Sequence, residues 1–196
     1  MNESAVTVDT ADANESEKGF SLIELLVYSL LLSLVIAMVG GMIISALTVS
    51  DTVVSMTRTS TAGQLVARSV VTGIRNSSDF RLTSPVGDDQ LLVARTAGFD
   101  ETVAWRCLAW YYSPDGDGAV WFTSSSNAIL PPTAADLSTW TLLTKDVRPV
   151  AGTGIFSALN ERLSLSILGL DGLTLPIDIR SSATSRAGAS GSLACF

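Results

Sequence analysis

The sequence predicts an α+β fold: one long N-terminal helix whose apolar half protrudes and whose C-terminal half packs on an antiparallel β-sheet. Three observations predict it. An apolar run without charge extends from Leu25 to Ser50, a segment with helical spacing of apolar residues follows, and the rest of the chain alternates with a period of two. A sheet of short strands needs a layer over its apolar face, which the amphipathic half of the helix supplies.

The apolar run is the first element, and its length indicates a membrane span. It contains 26 residues. At a rise of about 1.5 Å per residue, a helix of that length extends roughly 39 Å, whereas the hydrocarbon core of a bilayer is ~30 Å thick. We therefore expect residues 20–50 to form a hydrophobic transmembrane helix.

The second element, residues 51–80, continues the helix without a break signal. Its apolar residues recur at spacings of three, four and eight, with polar residues between them. Gly63 and Gly73 oppose a helix, each by about 1 kcal/mol relative to alanine. A polar cluster beginning at Asn76 ends the helix, which is expected to start at Phe20. The apolar positions are Val54, Ala62, Leu65, Val66, Val70 and Ile74.

Residues 81–196 are expected to form a β-rich globular domain. Runs of β-branched and aromatic residues alternate there, and the last two predicted strands form a hairpin with a turn at Asp171 and Gly172. Pro176 lacks an amide donor, so it places the last strand at a sheet edge. The predicted strands are 91–96, 102–112, 119–124, 140–144, 163–167 and 173–179.

One predicted hairpin gathers six aromatic residues, and alternation sends them to both faces of the sheet. About half of them are expected to fill the core. The other half either does the same or forms a surface for a partner. The six are Trp105, Trp110, Tyr111, Tyr112, Trp121 and Phe122.

The chain has no histidine and two cysteines, Cys107 and Cys195. It therefore lacks the usual general base and the commonest zinc ligand, and a Ser-His-Asp triad is impossible. Two cysteines alone make a poor metal site. We expect no catalytic residue, no cofactor and no metal. If the bulk of the chain lies outside the membrane, the cysteines are expected to form a disulfide; two unpaired buried thiols are the alternative.

Charge excludes a nucleic-acid partner and an ordinary secretory signal. The net charge is −7, and beyond Gly19 eleven basic residues stand against fourteen acidic ones without a basic cluster. The first 17 residues contain five acidic residues and no basic one, whereas the n-region of a secretory signal is basic. Lys18 alone favours a cytoplasmic N-terminus.

The junction from Lys18 to Glu24, "KGFSLIE", together with the apolar run after it, resembles the processing motif of type IV prepilins and type II secretion pseudopilins. The resemblance implies a leader peptide at residues 1–19. A prepilin peptidase would cleave between Gly19 and Phe20 and methylate the new amine of Phe20. The layout of the amphipathic segment and the C-terminal strands is similar to that of minor members, the PilW-like pilins and J-type pseudopilins.

Glu24 is the charge that needs an explanation, because a carboxylate in or near lipid is costly. Cleavage before Phe20 creates an ammonium that needs a counter-charge in a dry helical bundle. The resemblance implies that Glu24 meets the N-terminal amine of an adjacent subunit and so sets the axial register. The alternative is an interfacial residue on a simple one-pass anchor.

Gly40 and Gly41 lie inside the apolar run. Adjacent glycines in a membrane helix usually allow close packing with another helix. Many pilins carry a helix-breaking residue in this part of the chain, so the resemblance adds a second interpretation, in which the two glycines mark a hinge.

The resemblance implies a structural subunit, a minor pilin or pseudopilin of a type IV pilus or a type II secretion-like filament. Its partners would be the prepilin peptidase and N-methyltransferase, other pilin subunits through the N-terminal helix, the assembly platform, and the membrane. The precursor would cross the inner membrane once, with a cytoplasmic N-terminus, and then enter a filament at the cell surface. The alternative function is a membrane-anchored surface protein whose β-rich domain binds a ligand.

Overall fold

The computed structural model describes residues 20–97, 104–152, 154–170, 176–185 and 195. They divide between two compact units, residues 1–48 and residues 49–196, called unit 1 and unit 2 below. The elements in chain order are α1 (Leu22–Arg75), β1 (Ser77–Thr83), β2 (Gln90–Ala97), β3 (Trp105–Ser113), β4 (Ala119–Ser125), a 3₁₀ turn (Asp136–Thr139), β5 (Thr141–Lys145), β6 (Val147–Pro149), β7 (Phe156–Leu159), β8 (Arg162–Gly169) and β9 (Ile177–Thr184).

Unit 1 consists, in its described part, of the apolar portion of α1. The helix is long and apolar enough to cross a membrane. The large side chains of its apolar portion are exposed. Two serines of this portion bond to their own backbone: Ser29 Oγ donates to the Leu26 carbonyl at 2.9 Å, and Ser33 Oγ to the Leu30 carbonyl at 2.8 Å. Hydroxyls satisfied in this way are compatible with a hydrocarbon environment, where unpaired polar groups are costly.

In unit 2 the same helix becomes a packing element. Its buried stripe contains Val66, Val70 and Ile74, which are at most 1% exposed and lie one helical turn apart. The two glycines that oppose a helix have a packing role. A Cβ at Gly63 would overlap Ile179 of β9, and a Cβ at Gly73 would overlap the Trp110 ring of β3. Their propensity cost is offset by the close approach of helix and sheet.

The strands of the described chain form two antiparallel sheets, whereas the sequence predicted one. Strands β1 to β5 make the first sheet in chain order. In the second, β8 pairs with β9 on one edge and with β6 and β7 on the other. The chain changes sheets at Asp146, which alone separates β5 from β6 and has a φ of 59°. A residue in the left-handed conformation redirects the backbone. The alternation of apolar residues does not predict this change of direction.

The end of the helix also differs from the prediction in one respect. The polar cluster after Arg75 does end α1, but strand β1 begins within it at Ser77, inside the segment 51–80 that was expected to continue the helix. Ser77 Oγ donates to the Ile74 carbonyl at 2.7 Å, which satisfies a terminal acceptor of the helix. A register shift between Ser77 and Asp79 accommodates the tight transition.

The predicted strands are otherwise close to the observed ones. Strands β2, β4 and β5 agree with the prediction within one residue at each end, and β8 adds one or two residues at each end of 163–167. The last strand lies further along, because β9 begins after Pro176 and pairs only with β8, at a sheet edge as expected. The predicted turn at Asp171 and Gly172 lies outside the described residues. Strands β1, β6 and β7 were not predicted; two of them have only three and four residues.

Each face of the first sheet has its own core. The inner core lies under α1 and includes the fully buried Trp110 and Tyr112. The outer core is on the other face, where Tyr111 packs against Trp121 at 6.0 Å and Trp140 at 6.3 Å between ring centroids. Other members of the outer core are Leu91, Val93, Cys107, Ala109, Ile129 and Cys195. The outer aromatic side chains Tyr111 and Trp121 therefore contact the chain's own residues, which favours core filling over the alternative of a partner surface.

A partly buried polar network at one end of the first sheet involves Asp89. Its carboxylate accepts hydrogen bonds from Tyr111 Oη at 2.5 Å and from Ser113 Oγ at 2.8 Å. Burial, and then the hydrogen bond to Asp89, raise the pKa of Tyr111. The network links the loop that precedes β2 with strand β3, and it stabilises that end of the outer core.

Candidate processing and assembly site

The candidate site lies at the start of α1, in unit 1. Gly19, the expected residue before the cleaved bond, lies outside the described residues. Phe20 is 75% exposed and precedes the first helical residue, Leu22, by two positions. The Leu25 amide donates to the Ser21 carbonyl at 3.2 Å, so helical hydrogen bonding begins at once after the expected cut. A new amine at Phe20 would therefore be created at the helix N-terminus.

Glu24 lies in the first turn of α1. A carboxylate at this position interacts favourably with the positive end of the helix dipole. The residue is exposed in the monomer. It is therefore accessible to a cation from another molecule.

Three side chains at intervals of four line one face of the helix here: Phe20, Glu24 and Tyr28. Tyr28 Oη donates a hydrogen bond to Glu24 Oε1 at 3.3 Å. The rings of Phe20 and Tyr28 lie 6.4 Å apart, edge to face at 72°. The carboxylate thus lies beside two aromatic rings and accepts one hydrogen bond from its own chain, which offsets part of the cost of placing it near lipid.

Tyr28 is the residue of this site that sequence reasoning missed. The signal was present, because a tyrosine four residues after a glutamate on a helix lies within reach of its carboxylate. Tyr28 looks unremarkable when the apolar run is judged only by its hydropathy.

Gly40 and Gly41 lie in an uninterrupted part of α1. A Cβ added at either position would meet no described atom within 4 Å. In the monomer, both positions are therefore unobstructed, and another helix could approach them closely. The hinge stays a prediction about an assembled state.

Cys107 and Cys195 are joined by a disulfide, with 5.5 Å between their Cα atoms. Both are buried in the outer core. The Ile129 amide donates to the Cys195 carbonyl at 3.1 Å. The disulfide and this hydrogen bond together hold the end of the chain against β3 and the segment that follows β4.

Among the described residues, no group of three or more His, Cys, Asp or Glu side chains is arranged to hold a metal ion. The acidic pair at the β3–β4 turn, Asp115 and Asp117, belongs to a tight hairpin. Gly116 and Gly118 have φ values of 65° and 77° there. The Gly118 amide donates to the Asp115 carbonyl at 3.2 Å, which closes the turn.

Residues 16–40 match the family model of the prokaryotic N-terminal methylation motif. This motif marks type IV pilin-like prepilins. The match includes the Gly19–Phe20 junction, Glu24 and Tyr28, and it ends at Gly40. It indicates a substrate of prepilin peptidase and a membrane-anchored precursor, and it points to a structural protein. No curated protein and no solved structure matches the chain.

Proposed function

We propose that this chain is a minor pilin or pseudopilin, a structural subunit of a type IV pilus or of a type II secretion-like filament. The observation that carries the proposal is the methylation motif at residues 16–40, whose residues from Leu22 onward belong to a helix that can span a bilayer. The motif provides the processing site. The helix anchors the precursor in the membrane and packs against other helices in the filament.

Processing comes first in the proposed mechanism. Hydrolysis of the peptide bond between Gly19 and Phe20 releases the 1–19 leader and creates an ammonium on Phe20. Methylation leaves that amine charged. Because Phe20 is two residues before the helix start, the charge lies beside the free amides of the first turn, which do not satisfy a cation. The ammonium therefore needs an anionic partner.

Glu24 supplies that partner in a neighbouring subunit. An ammonium and a carboxylate that are both withdrawn from water are costly alone and far less costly as a pair. The pair forms only when two helices are displaced along the filament axis by the correct amount. Glu24 therefore sets the register between subunits, and the apolar residues from 25 to 50 provide the surface on which the helices pack.

The remaining segments take the roles that their chemistry allows. Residues 20–50 form the transmembrane and assembly helix, residues 51–75 continue it onto the β-rich domain, and that domain begins with β1 at Ser77. Lys18 favours a cytoplasmic N-terminus in the inner membrane before processing. The extensive β domain, with two sheets and two cores, favours a minor subunit over a small repeating one.

The test is the Glu24→Gln variant, compared with Asp51→Asn. Both changes remove one carboxylate from α1 with almost no change of shape, but Asp51 lies just beyond the apolar run. Leaving an ammonium without its counter-charge costs about 3–5 kcal/mol. We expect the Glu24 variant to be retained in carbonate-washed membranes and to fall by at least about a hundredfold in the sheared filament fraction.

Quantitative mass spectrometry of the two fractions gives the answer. Asp51→Asn should leave both fractions unchanged. If Glu24→Gln enters filaments as well as the native chain does, Glu24 does not pair with the amine and the register mechanism is wrong.

A further inference from the structure

The end of unit 2 where α1 begins to pack on the sheets has an unusual surface. The helix contacts the second sheet at Thr59, which packs against Gly169, and at Gly63, which packs against Ile179. Before them the helix carries exposed apolar side chains: Val53 is 55% exposed and Val54 is 44% exposed. This end of unit 2, together with the cavity described next, is called the basal surface.

A cavity of about 500 Å³ opens at the basal surface, between the helix and strand β5. Arg58 lines it from the helix and Lys145 from the strand, and both are exposed. Neither forms an ion pair with a described residue. Asp146 is the acidic residue of the lining, so the cavity has one excess positive charge. Leu142, which also lines it, is 51% exposed.

The sequence places this cavity close to the level of lipid headgroups. The uncharged run ends at Ser50, and Asp51 is the first charged residue after it. Arg58 follows seven residues later, about 10 Å along a helix. Headgroups occupy roughly 5–8 Å on each side of the hydrocarbon core. A long arginine side chain reaches several ångströms from its Cα, so Arg58 can contact that layer.

We propose that the basal surface is a phospholipid-docking surface. A headgroup phosphate binds between Arg58 and Lys145, and the exposed Leu142 and Val53 enter the interfacial layer beside it. The cavity is lined by two cations and a single acid. Phosphate is the anion present at the depth of the lipid headgroups, so its charge complements that of the cavity. Apolar side chains next to cations are the composition of interfacial membrane-binding surfaces.

This inference rests on the membrane anchoring in the proposed function, but not on filament assembly. It gives the stored subunit a defined contact between its β domain and the bilayer surface. A subunit that leaves the membrane would lose this contact, so docking opposes premature extraction. Each cation near an anionic surface contributes a factor of about five to binding.

The test uses the full-length chain in nanodiscs, one copy per disc, with phosphatidylcholine alone or with added phosphatidylglycerol. The measured quantity is amide hydrogen exchange in β5, relative to the same chain in detergent micelles without phospholipid. We expect slower exchange in nanodiscs, most of all with phosphatidylglycerol. The Arg58→Gln, Lys145→Gln double variant should lose this slowing. The control is Arg68→Gln with Arg75→Gln, which removes two exposed cations further along the same helix.

Several outcomes would overturn the proposal. Equal exchange in micelles and nanodiscs would show that no docking occurs. Equal effects of the two double variants would show that overall charge, and not the cavity, is responsible. Slowing by inorganic phosphate in micelles would identify an ion site in place of a bilayer contact. Slowing only when two copies share a disc would identify a second copy as the occupant. A chain that does not co-elute with nanodiscs would instead contradict the anchoring itself.

Discussion

At the scale of single residues, two carboxylates accept hydrogen bonds from specific partners. Glu24 accepts from Tyr28 on its own helix. Asp89 accepts from Tyr111 and Ser113 across two strands. The first carboxylate keeps an exposed position and remains available to another molecule, whereas the second is committed to the fold. In our proposal, the same side-chain chemistry therefore serves assembly at Glu24 and stability at Asp89.

The Asp89 network gives a prediction about stability. Asp89→Asn replaces one acceptor oxygen by an NH₂ group, so Tyr111 or Ser113 loses its acceptor. The free energy of unfolding should fall by about 1–3 kcal/mol, measured by urea denaturation of the full chain in detergent. Asp88→Asn is the control, since Asp88 is exposed. If both variants unfold at the same urea concentration as the native chain, the network does not stabilise unit 2.

The residues of the site were largely visible in the sequence. Gly19, Phe20 and Glu24 stand at fixed spacing before an uncharged run, and that arrangement alone predicted the processing site. Tyr28 was not predicted, because its role depends on where one hydroxyl lies on a helix face. The cavity between Arg58 and Lys145 could not be predicted from the sequence, because these two residues are 87 positions apart and only the fold brings them together.

At the scale of elements, α1 changes its environment along its length while keeping one backbone conformation. Before Ser50 its exposed side chains are apolar, and beyond Thr59 its buried stripe contacts the inner core. Gly63 and Gly73 show how the second part meets the sheets, because each removes a Cβ where a large side chain must fit. Sequence propensity registered them only as weak points of a helix.

Gly73→Ala tests that packing. The new Cβ would overlap the Trp110 ring, whose Nε1 donates to Ser69 Oγ at 3.0 Å on the same helix. Displacing a well-packed ring costs about 1–3 kcal/mol, more than the helix propensity gained. The melting temperature of unit 2 and the near-ultraviolet signal of its tryptophans should fall. Gly40→Ala is the matched control, because no described atom lies within 4 Å of its added Cβ.

An unchanged melting temperature for Gly73→Ala would contradict the close approach of helix and strand β3. A fall of the same size for Gly40→Ala would indicate that the effect comes from the helix backbone and not from the contact.

The β elements show what periodicity can and cannot predict. Long alternating runs were placed correctly, as at Gln90–Ala97 and Ala119–Ser125. Strands of three or four residues contain too few alternations to detect, so the sequence does not predict β6 and β7. The division into two sheets depends on the backbone of Asp146, and a side-chain pattern does not encode it.

At the scale of the whole molecule, the disulfide and the two cores stabilise the β-rich domain. Cys107 and Cys195 are 88 positions apart in sequence, so the cross-link restricts a large part of the unfolded chain. Cys107→Ser and Cys195→Ser should each lower the free energy of unfolding by about 2–5 kcal/mol. The double variant should match either single one, and reductant should lower the native chain to the same level. Unequal single variants would indicate that one of the thiols matters for packing and not for the bond.

The central claim is that this chain becomes a filament subunit by exposing a new amine at Phe20, one helical turn before Glu24. Intact-mass and N-terminal peptide mass spectrometry of the mature chain from native membranes tests it most directly. We predict a polypeptide that begins at Phe20 and carries one methyl group on its amine. A mature chain that retains Met1 or Asn2, or that begins at another residue, would contradict the claim and favour a simple membrane-anchored surface protein.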